Sequence, residues 1–489
     1  MDEGRPPEPA TGHEPTPPVE AVSPVEAEPA QPDAAADVDG PVPTDDVPLE
    51  ARGVSRALMA VAIVLVAALI VFAIVGGRVV RPSTPSPASE PRLAVTDGDG
   101  VLHTIGPDGR SVADFEIDGV AFALPAWSPD GTRIAVTGSG DGGVRLYVFD
   151  ATDAGDDKPT IVFDDVDHPP FYLYWSPDGQ QIAFLTTEPD GIALRIVPAD
   201  GSAEARIVRE GAPLYWDWLG NDRLVAHIGS SGEGSFLGEV DLQGTSAERV
   251  PLEPGFFRSP AVSRDGAYRA YVTTGQDTTG IVTVESTDRS NRQIAPVFGV
   301  AAVSFDPTGV SLAYVGSERP RANEIAFPLG PLRVLDPATG QSRTLLGGDV
   351  VAFFWSPDGA TIAALTLAPP DEEIVGVPGA GLTSTSGTST GGDDDPPPPA
   401  QGVPLTLVFV DVDSGRIGAT RSVAVTSRFV NNILPYYDQY ALSHRMWAPD
   451  SSSIALPLDA DGDDRLFVIP ADGSAVTPLE GAELGFWSP

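Results

Sequence analysis

The sequence predicts an all-β fold built as a ring of repeated four-stranded units. Three observations lead there. A tryptophan-centred turn recurs at near-regular spacing, the strands around it are short and apolar, and the last half-motif complements an early one. Gly and Pro, 52 and 50 of 489 residues, suit a chain rich in turns.

The first fifty residues hold 13 acidic residues, 12 Pro, one Arg and no aromatic residue. Such a stretch cannot bury enough apolar surface to offset the entropy of ordering, so residues 1–52 are expected to form a disordered acidic tail. Between Arg56 and Arg78 lie 21 uncharged, mostly apolar residues. At ~1.5 Å per residue they reach about 31 Å, the thickness of a bilayer core. The reading is a transmembrane helix over 53–78, with 57–77 against lipid and the N-terminus cytoplasmic. Residues 79–90, "VVRPSTPSPASE", read as a Pro/Ser linker.

From residue 91 the chain is periodic. The marker falls at Trp127, Trp175, Trp218, Val262, Phe305, Trp355, Trp447 and Trp487, with successive spacings of 48, 43, 44, 43, 50, 92 and 40. Periods of this length are those of propeller blades. The spacing of 92 contains a low-complexity run at 368–403; without it the spacing is 56, so one unit carries a long insertion. In the first unit "VAFALPAW" is an apolar strand, "SPDG" a turn, and "TRIAVTG", "VRLYVFDATDA" and "KPTIVFDD" three further strands.

The turn has a chemical reason. Pro presets φ, Asp bonds the backbone ahead of it, and Gly accepts positive φ. Trp127, Asp130 and Gly131, Trp175, Asp178 and Gly179, Trp355, Asp358 and Gly359, with Trp447 and Trp487, recur in successive units and are read as structural. The aromatic is suited to plug the seam between neighbours.

"ELGFWSP" at 483–489 is a first strand without successors, and "PRLAVTDGDG" at 91–100 a second strand without its first. Joined, they give one split closing blade with the C-terminal strand innermost, which leaves the ring without an unpaired break. The expectation is an eight-bladed β-propeller over 91–489, or a seven-bladed one if the Val262 or Trp218 unit forms no sheet of its own.

The "WSPDG" turns, preceded by an aromatic and followed by an Ile-Ala pair, resemble the WD-like repeat of TolB-type β-propellers. Propellers of the prolyl-oligopeptidase class carry similar repeats, but there a separate α/β-hydrolase domain does the catalysis. Here the repeats extend to Pro489, so a catalytic role of that kind is not expected. The resemblance implies a fold and leaves the activity open.

Charge and composition exclude more than they identify. A net charge of −40 argues against a nucleic-acid partner bound through phosphates, and without Cys there are no disulfides or thiolate metal sites. The five His residues show no ligand spacing, and no cofactor is expected. Asp459, Asp461 and Asp463 alternate as in a calcium loop, but Gly462 and Pro470 depart from the pattern. Asp164, Asp165 and Asp167 beside His168 are the nearest approach to paired catalytic carboxylates and read better as a solvated loop.

Loop lengths give the functional expectation. The face opposite the SPDG turns carries long loops at 252–260, 317–330, 368–403 and 429–440. Phe256, Phe257, Arg258, Arg319, Arg321, Tyr436 and Tyr437 lie on them, and aromatics and Arg dominate interface hot spots. The reading is a membrane-anchored, extracytoplasmic, non-catalytic propeller that binds a protein, peptide or glycan. A hydrolase or lyase with carboxylates in the channel, and a transmembrane sensor, are the alternatives.

Overall fold

The structure is a computed structural model. It describes residues 90–489 apart from 152–157, 230–233, 244–246, 251–257, 276–278, 310, 321–326, 368–401 and 461. The expected tail, membrane span and nearly all of the linker therefore lie outside the described residues, as does most of the 368–403 insertion. Among the described residues no helix is long and apolar enough to cross a membrane.

The described chain is almost entirely antiparallel sheet, folded as a β-propeller. The Trp127 unit is a four-stranded meander of Ala121–Trp127, Arg133–Gly140, Gly143–Asp150 and Thr160–Asp164. The Trp175 unit repeats it over Pro170–Trp175 to Arg206–Glu210, and the Trp218 unit over Leu214–Leu219 to Ala247–Arg249. From Ala261–Val262 to Thr477–Leu479 the strands join into a thirteen-stranded sheet.

That long sheet has a local cause. Arg292–Phe305 and Ser342–Trp355 are each 14 residues long and pair with one unit through their first half and the next through their second. A register shift separates the halves, between Phe298 and Ala302 and between Val350 and Ala352. Each is thus the outer strand of one unit running on into the inner strand of its neighbour. The Val262 and Trp218 units both form their own strands, although Ala261–Val262 is only two residues long.

The two ends of the domain share one sheet, in the order Leu484–Trp487, Leu93–Thr96, Leu102–Ile105, Ser111–Phe115. Leu93 pairs with Trp487 and Thr96 with Leu484. The C-terminal strand is therefore innermost, as the half-motifs implied.

The recurring Trp and SPDG residues have one repeated job. Indole Nε1 of Trp127 donates to Phe486 O at 3.0 Å, Trp175 to Ala126 O at 3.0 Å, Trp355 to Ser304 O at 3.2 Å and Trp447 to Phe354 O at 2.9 Å. Each acceptor is the residue before the marker in the preceding unit, so every such Trp both fills a seam and pins it. In the turn, Ser128 Oγ donates to Asp130 at 2.6 Å and accepts from Arg133 N at 3.0 Å, while Gly131 adopts φ 70°. Ser176 with Asp178 and Ser356 with Asp358 repeat the arrangement at 2.7 and 2.6 Å.

One seam is charged instead of apolar. Between the Trp218 and Val262 units, Arg223, Glu239, Arg269, Glu285 and Arg292 form an alternating chain of ion pairs. Arg269 is 1% exposed and Glu285 2%, so the middle of this chain is interior while Arg223 and Arg292 at its ends reach solvent. In the closing sheet His103 is held between Asp114 at 2.8 Å and Asp97 at 3.1 Å. Burial opposes its charge, but the two carboxylates outweigh that and raise the imidazole above its ordinary range.

Candidate functional site

The 429–440 stretch, expected as a loop, is helical. Helix α1 is Ser427–Asn432, a 3₁₀ turn follows over Leu434–Tyr436, and helix α2 is Tyr437–Ser443. Thr426 caps α1 by accepting from Phe429 N at 3.1 Å. Pro435 sits at the start of the 3₁₀ turn, where its missing N–H costs nothing. The aromatic spacing that looks like a decorated loop is instead one buried side of two short helices: Phe429, Ile433, Leu434, Tyr437 and Tyr440 are all in the core.

These helices reach inner strands on several sides of the ring and so lie across its centre as a plug. The inner strands of a propeller present free backbone edges to the channel, and buried edges need partners. Gln439 supplies one. Its Oε1 accepts from Trp216 N at 3.0 Å and its Nε2 donates to Trp216 O at 2.9 Å, so the carboxamide pairs with the strand edge as a backbone would. Tyr172 OH donates to Gln439 O at 3.0 Å, and Asp438 Oδ2 accepts from Ser259 N at 3.2 Å. His444 reaches Leu124 O through Nε2 at 3.3 Å and Ser443 Oγ through Nδ1 at 2.6 Å. Its ring packs 4.7 Å from Phe486, and burial pushes its pKa down to about 4. One segment thus touches the inner strands of the Trp127, Trp175, Trp218, Val262 and Trp487 units.

Replacing Gln439 tests this plug. Glu at 439 keeps the acceptor for Trp216 N but turns the donor facing Trp216 O into a second acceptor. Q439E is expected to lose about 1–3 kcal/mol in denaturant unfolding, the usual penalty of an unsatisfied buried polar group. An unchanged midpoint would show that the plug is not held through this pair.

The residues expected on the binding face divide into two groups. Arg258 and Tyr437 are brought together, but inward: they are 3% and 1% exposed. Arg258 Nη1 donates to Pro435 O at 2.7 Å, lies 3.5 Å from Asp438 Oδ1, and its guanidinium stands 5.9 Å from the Tyr437 ring. Both hold the plug in place. Tyr436 remains 46% exposed beside Tyr215, and Arg319 is exposed, with its backbone bonded to Ser317 Oγ. Phe256, Phe257 and Arg321 lie outside the described residues.

Three of the acidic candidates, Asp459, Asp164 and Asp165, are occupied. Asp459 accepts from Gly402 N and Gly462 N, each at 2.9 Å, so both carboxylate oxygens serve the backbone. Asp463 lies on a strand paired with Ala460, and Asp461 is outside the described residues. Among the described residues no group of three or more His or acidic side chains could hold a metal ion. Asp164 pairs with Arg145 at 2.9 Å, and Asp165 with His168 at 2.9 Å. His168 also meets Glu188 at 3.1 Å.

Asp217 escaped the sequence reading. It is 4% exposed on the inner strand of the Trp218 unit. Burial raises its pKa to about 7. Oδ1 accepts from Trp218 N at 2.8 Å and Tyr174 OH at 3.2 Å, and Oδ2 from Val262 N at 2.7 Å. It therefore stitches three successive inner strands. The signal was available: an Asp between two Trp in an apolar strand is a buried polar group that must be bonded.

No family model and no curated protein matches the chain. Solved structures do. Dihydro-heme d1 dehydrogenase NirN is 13% identical with a TM-score of 0.49, covering 81% of this chain and 74% of that one. TolB from Acinetobacter baumannii is 14% identical with a TM-score of 0.35, covering 77% and 68%. The C-terminal WD40 domain of Sif2 is 12% identical with a TM-score of 0.43, covering 76% and 90%. The order of the sheets, and not these likenesses, carries the architecture.

Proposed function

We propose that this chain is a non-catalytic, eight-unit binding propeller, held at a membrane by residues 57–77, that presents its plugged face to a protein, peptide or glycan. The observation that carries this reading is the plug. The helices 427–443 lie over the inner strands of the ring, and their polar side chains are spent on the ring itself. What they leave toward solvent is a surface, with Tyr436 as its largest exposed aromatic. Asp217, with its raised pKa, is the feature that points toward acid–base chemistry. Its burial and three donors leave neither oxygen for a substrate.

The eight-unit count rests on the split sheet, the three separate meanders, and four repeats within the thirteen-stranded sheet. The bridge from Trp447 to Ile454 supplies the inner edge of the last.

The test is partner capture with the full chain in native membranes, comparing wild type with Y436A/R319A and with a turn-face control, D358N. Loss of the same partners in the double variant, with D358N unaffected, is the expected outcome. An identical partner set for all three sinks the plugged-face reading.

A further inference from the structure

The outer strand of each unit ends it in a sheet edge, and most of these edges are guarded. Arg206–Glu210, Ala247–Arg249, Ile417–Val425 and the first halves of Arg292–Phe305 and Ser342–Trp355 carry arginine, and Thr477–Leu479 carries Pro478. Charged side chains and proline keep foreign strands off a sheet edge. Ser111–Phe115 and Thr160–Asp164 have no Lys, Arg or Pro. These two belong to neighbouring units, and one cavity of about 740 Å³ opens between them.

Ser111–Phe115 is the last strand of the closing sheet and, among the described residues, pairs with Leu102–Ile105 alone. Its buried side, Ala113 and Phe115, packs toward the Trp127 unit, where the Phe115 ring lies 5.0 Å from that of Phe149. The cavity adjoins this contact, lined by Ile117, Val120, Tyr147, Pro159 and the 50% exposed Ile161. The other side of the strand carries Val112 and Asp114, and exposed Glu116 continues the alternation. Asp118 follows, exposed, in a turn closed by Val120 N donating to Ile117 O at 3.0 Å.

Charge along this edge is one-sided. Asp114 is engaged by His103, whereas Glu116 and Asp118 enter no ion pair with another described side chain. Of the cations lining the cavity, Arg145 is already paired with Asp164 at 2.9 Å, which leaves Lys158 against Glu116, Asp118 and Asp141. A second copy of the same edge would set like charges opposite one another and fits it poorly.

We propose that the edge Ser111–Phe115 and the adjoining cavity dock an extended segment of a partner protein whose residues alternate basic and apolar, added as a fifth strand of the closing sheet. The free edge supplies main-chain pairing. Side chains of an added strand fall alternately on the two sides of the sheet. Those on the Val112 and Asp114 side meet carboxylates, and those on the Phe115 side enter the cavity. This site lies on the outer rim, not on the face that carries Tyr436, and does not depend on the function proposed above.

Fluorescence anisotropy of labelled peptides with the full chain in detergent, at constant ionic strength, tests it. An eight-residue peptide of alternating lysine and valine is expected to bind saturably. The same residues arranged as a lysine block and a valine block carry equal charge and should bind at least about tenfold more weakly, having lost the pairing pattern. Of two alternating peptides methylated on the backbone nitrogens of either the lysines or the valines, one should lose far more affinity than the other, because only every second N–H of a strand faces its partner. E116Q/D118N should weaken binding about three- to thirtyfold, the worth of two exposed ion pairs. E204Q/D413N removes equal charge from exposed sites on other units and should leave it unchanged. No saturable binding, equal binding of the alternating and block peptides, equal losses for the two methylated peptides, or equal affinity of wild type and E116Q/D118N each overturns the site. Self-association of wild type that E116Q/D118N alters would assign the edge to a second copy and also overturns it. Because Glu116 and Asp118 are exposed, E116Q/D118N should melt with wild type, which keeps a lost signal from being a folding defect.

Discussion

Deleting Leu484–Pro489 is expected to abolish cooperative unfolding of the β domain. The lost strand is the innermost of the closing sheet and pairs along its length with Leu93–Thr96. It takes with it Leu484, Phe486 and Trp487, which are 3%, 1% and 1% exposed. Truncating one buried Phe or Trp typically costs about 3–5 kcal/mol, and whole domains are stable by only about 5–15 kcal/mol. Further bonds go as well: Trp127 loses its indole acceptor, and Arg92 loses its bonds to Ser488. Calorimetry should show no cooperative transition in the deletion variant. The single variant W487A, which keeps the strand, should remain folded and lose about 3–5 kcal/mol. A deletion variant that melts like wild type would mean that the shared sheet does not hold the ring closed.

The second large effect is expected at the interior ion chain. Glu285 accepts from Arg269 Nε at 3.0 Å and Nη2 at 2.7 Å, and from Arg292 at 2.9 and 3.0 Å. Arg269 is paired in turn with Glu239. Removing one member of a buried pair strands the other charge, which costs about 3–5 kcal/mol. R269M is expected to lose that much, because it removes the buried cation that Glu239 and Glu285 share and leaves each only its outer, half-exposed arginine. Replacing the whole interior group with apolar residues of similar volume, in R269M/E239L/E285L, is expected to recover most of the loss. Without recovery, these ion pairs would be net stabilising, contrary to the desolvation account.

The same pair sets a pH dependence. Burial alone would raise the Glu285 carboxyl, but the donors of Arg269 and Arg292 outweigh it and hold it below the usual carboxylate range. A folded-state pKa below the unfolded one gives stability that is complete above the ordinary carboxylate range. It is lost as pH falls through the depressed value. The gap in unfolding free energy between wild type and E285Q should therefore be constant near neutrality and shrink on acidification.

Much of the architecture was legible in the sequence because a propeller is a local repeat. Each unit spells its own strand, turn and seam residue, so Trp127, Trp175 and Trp355 announce their positions without reference to the rest of the chain. The split blade was legible for the same reason: two half-motifs can be matched by eye even when 394 residues apart, as Leu93 and Trp487 are.

What the sequence could not show was which way a side chain faces when no repeat constrains it. Residues 427–443 occur once, so nothing in the other units reveals that they fold back over the channel. Aromatics and arginines look alike in a binding loop and in a plug. Only the tertiary arrangement sends Arg258 and Tyr437 inward and leaves Tyr436 outside, because buried inner-strand edges such as Trp216 demand bonding partners and Gln439 supplies them. Asp217 makes the complementary case. It is a polar residue at an apolar position of the repeat, visible as an exception in the chain. How such an exception is satisfied depends on which distant strands surround it: three donors converge on Asp217 from its own and the two neighbouring units.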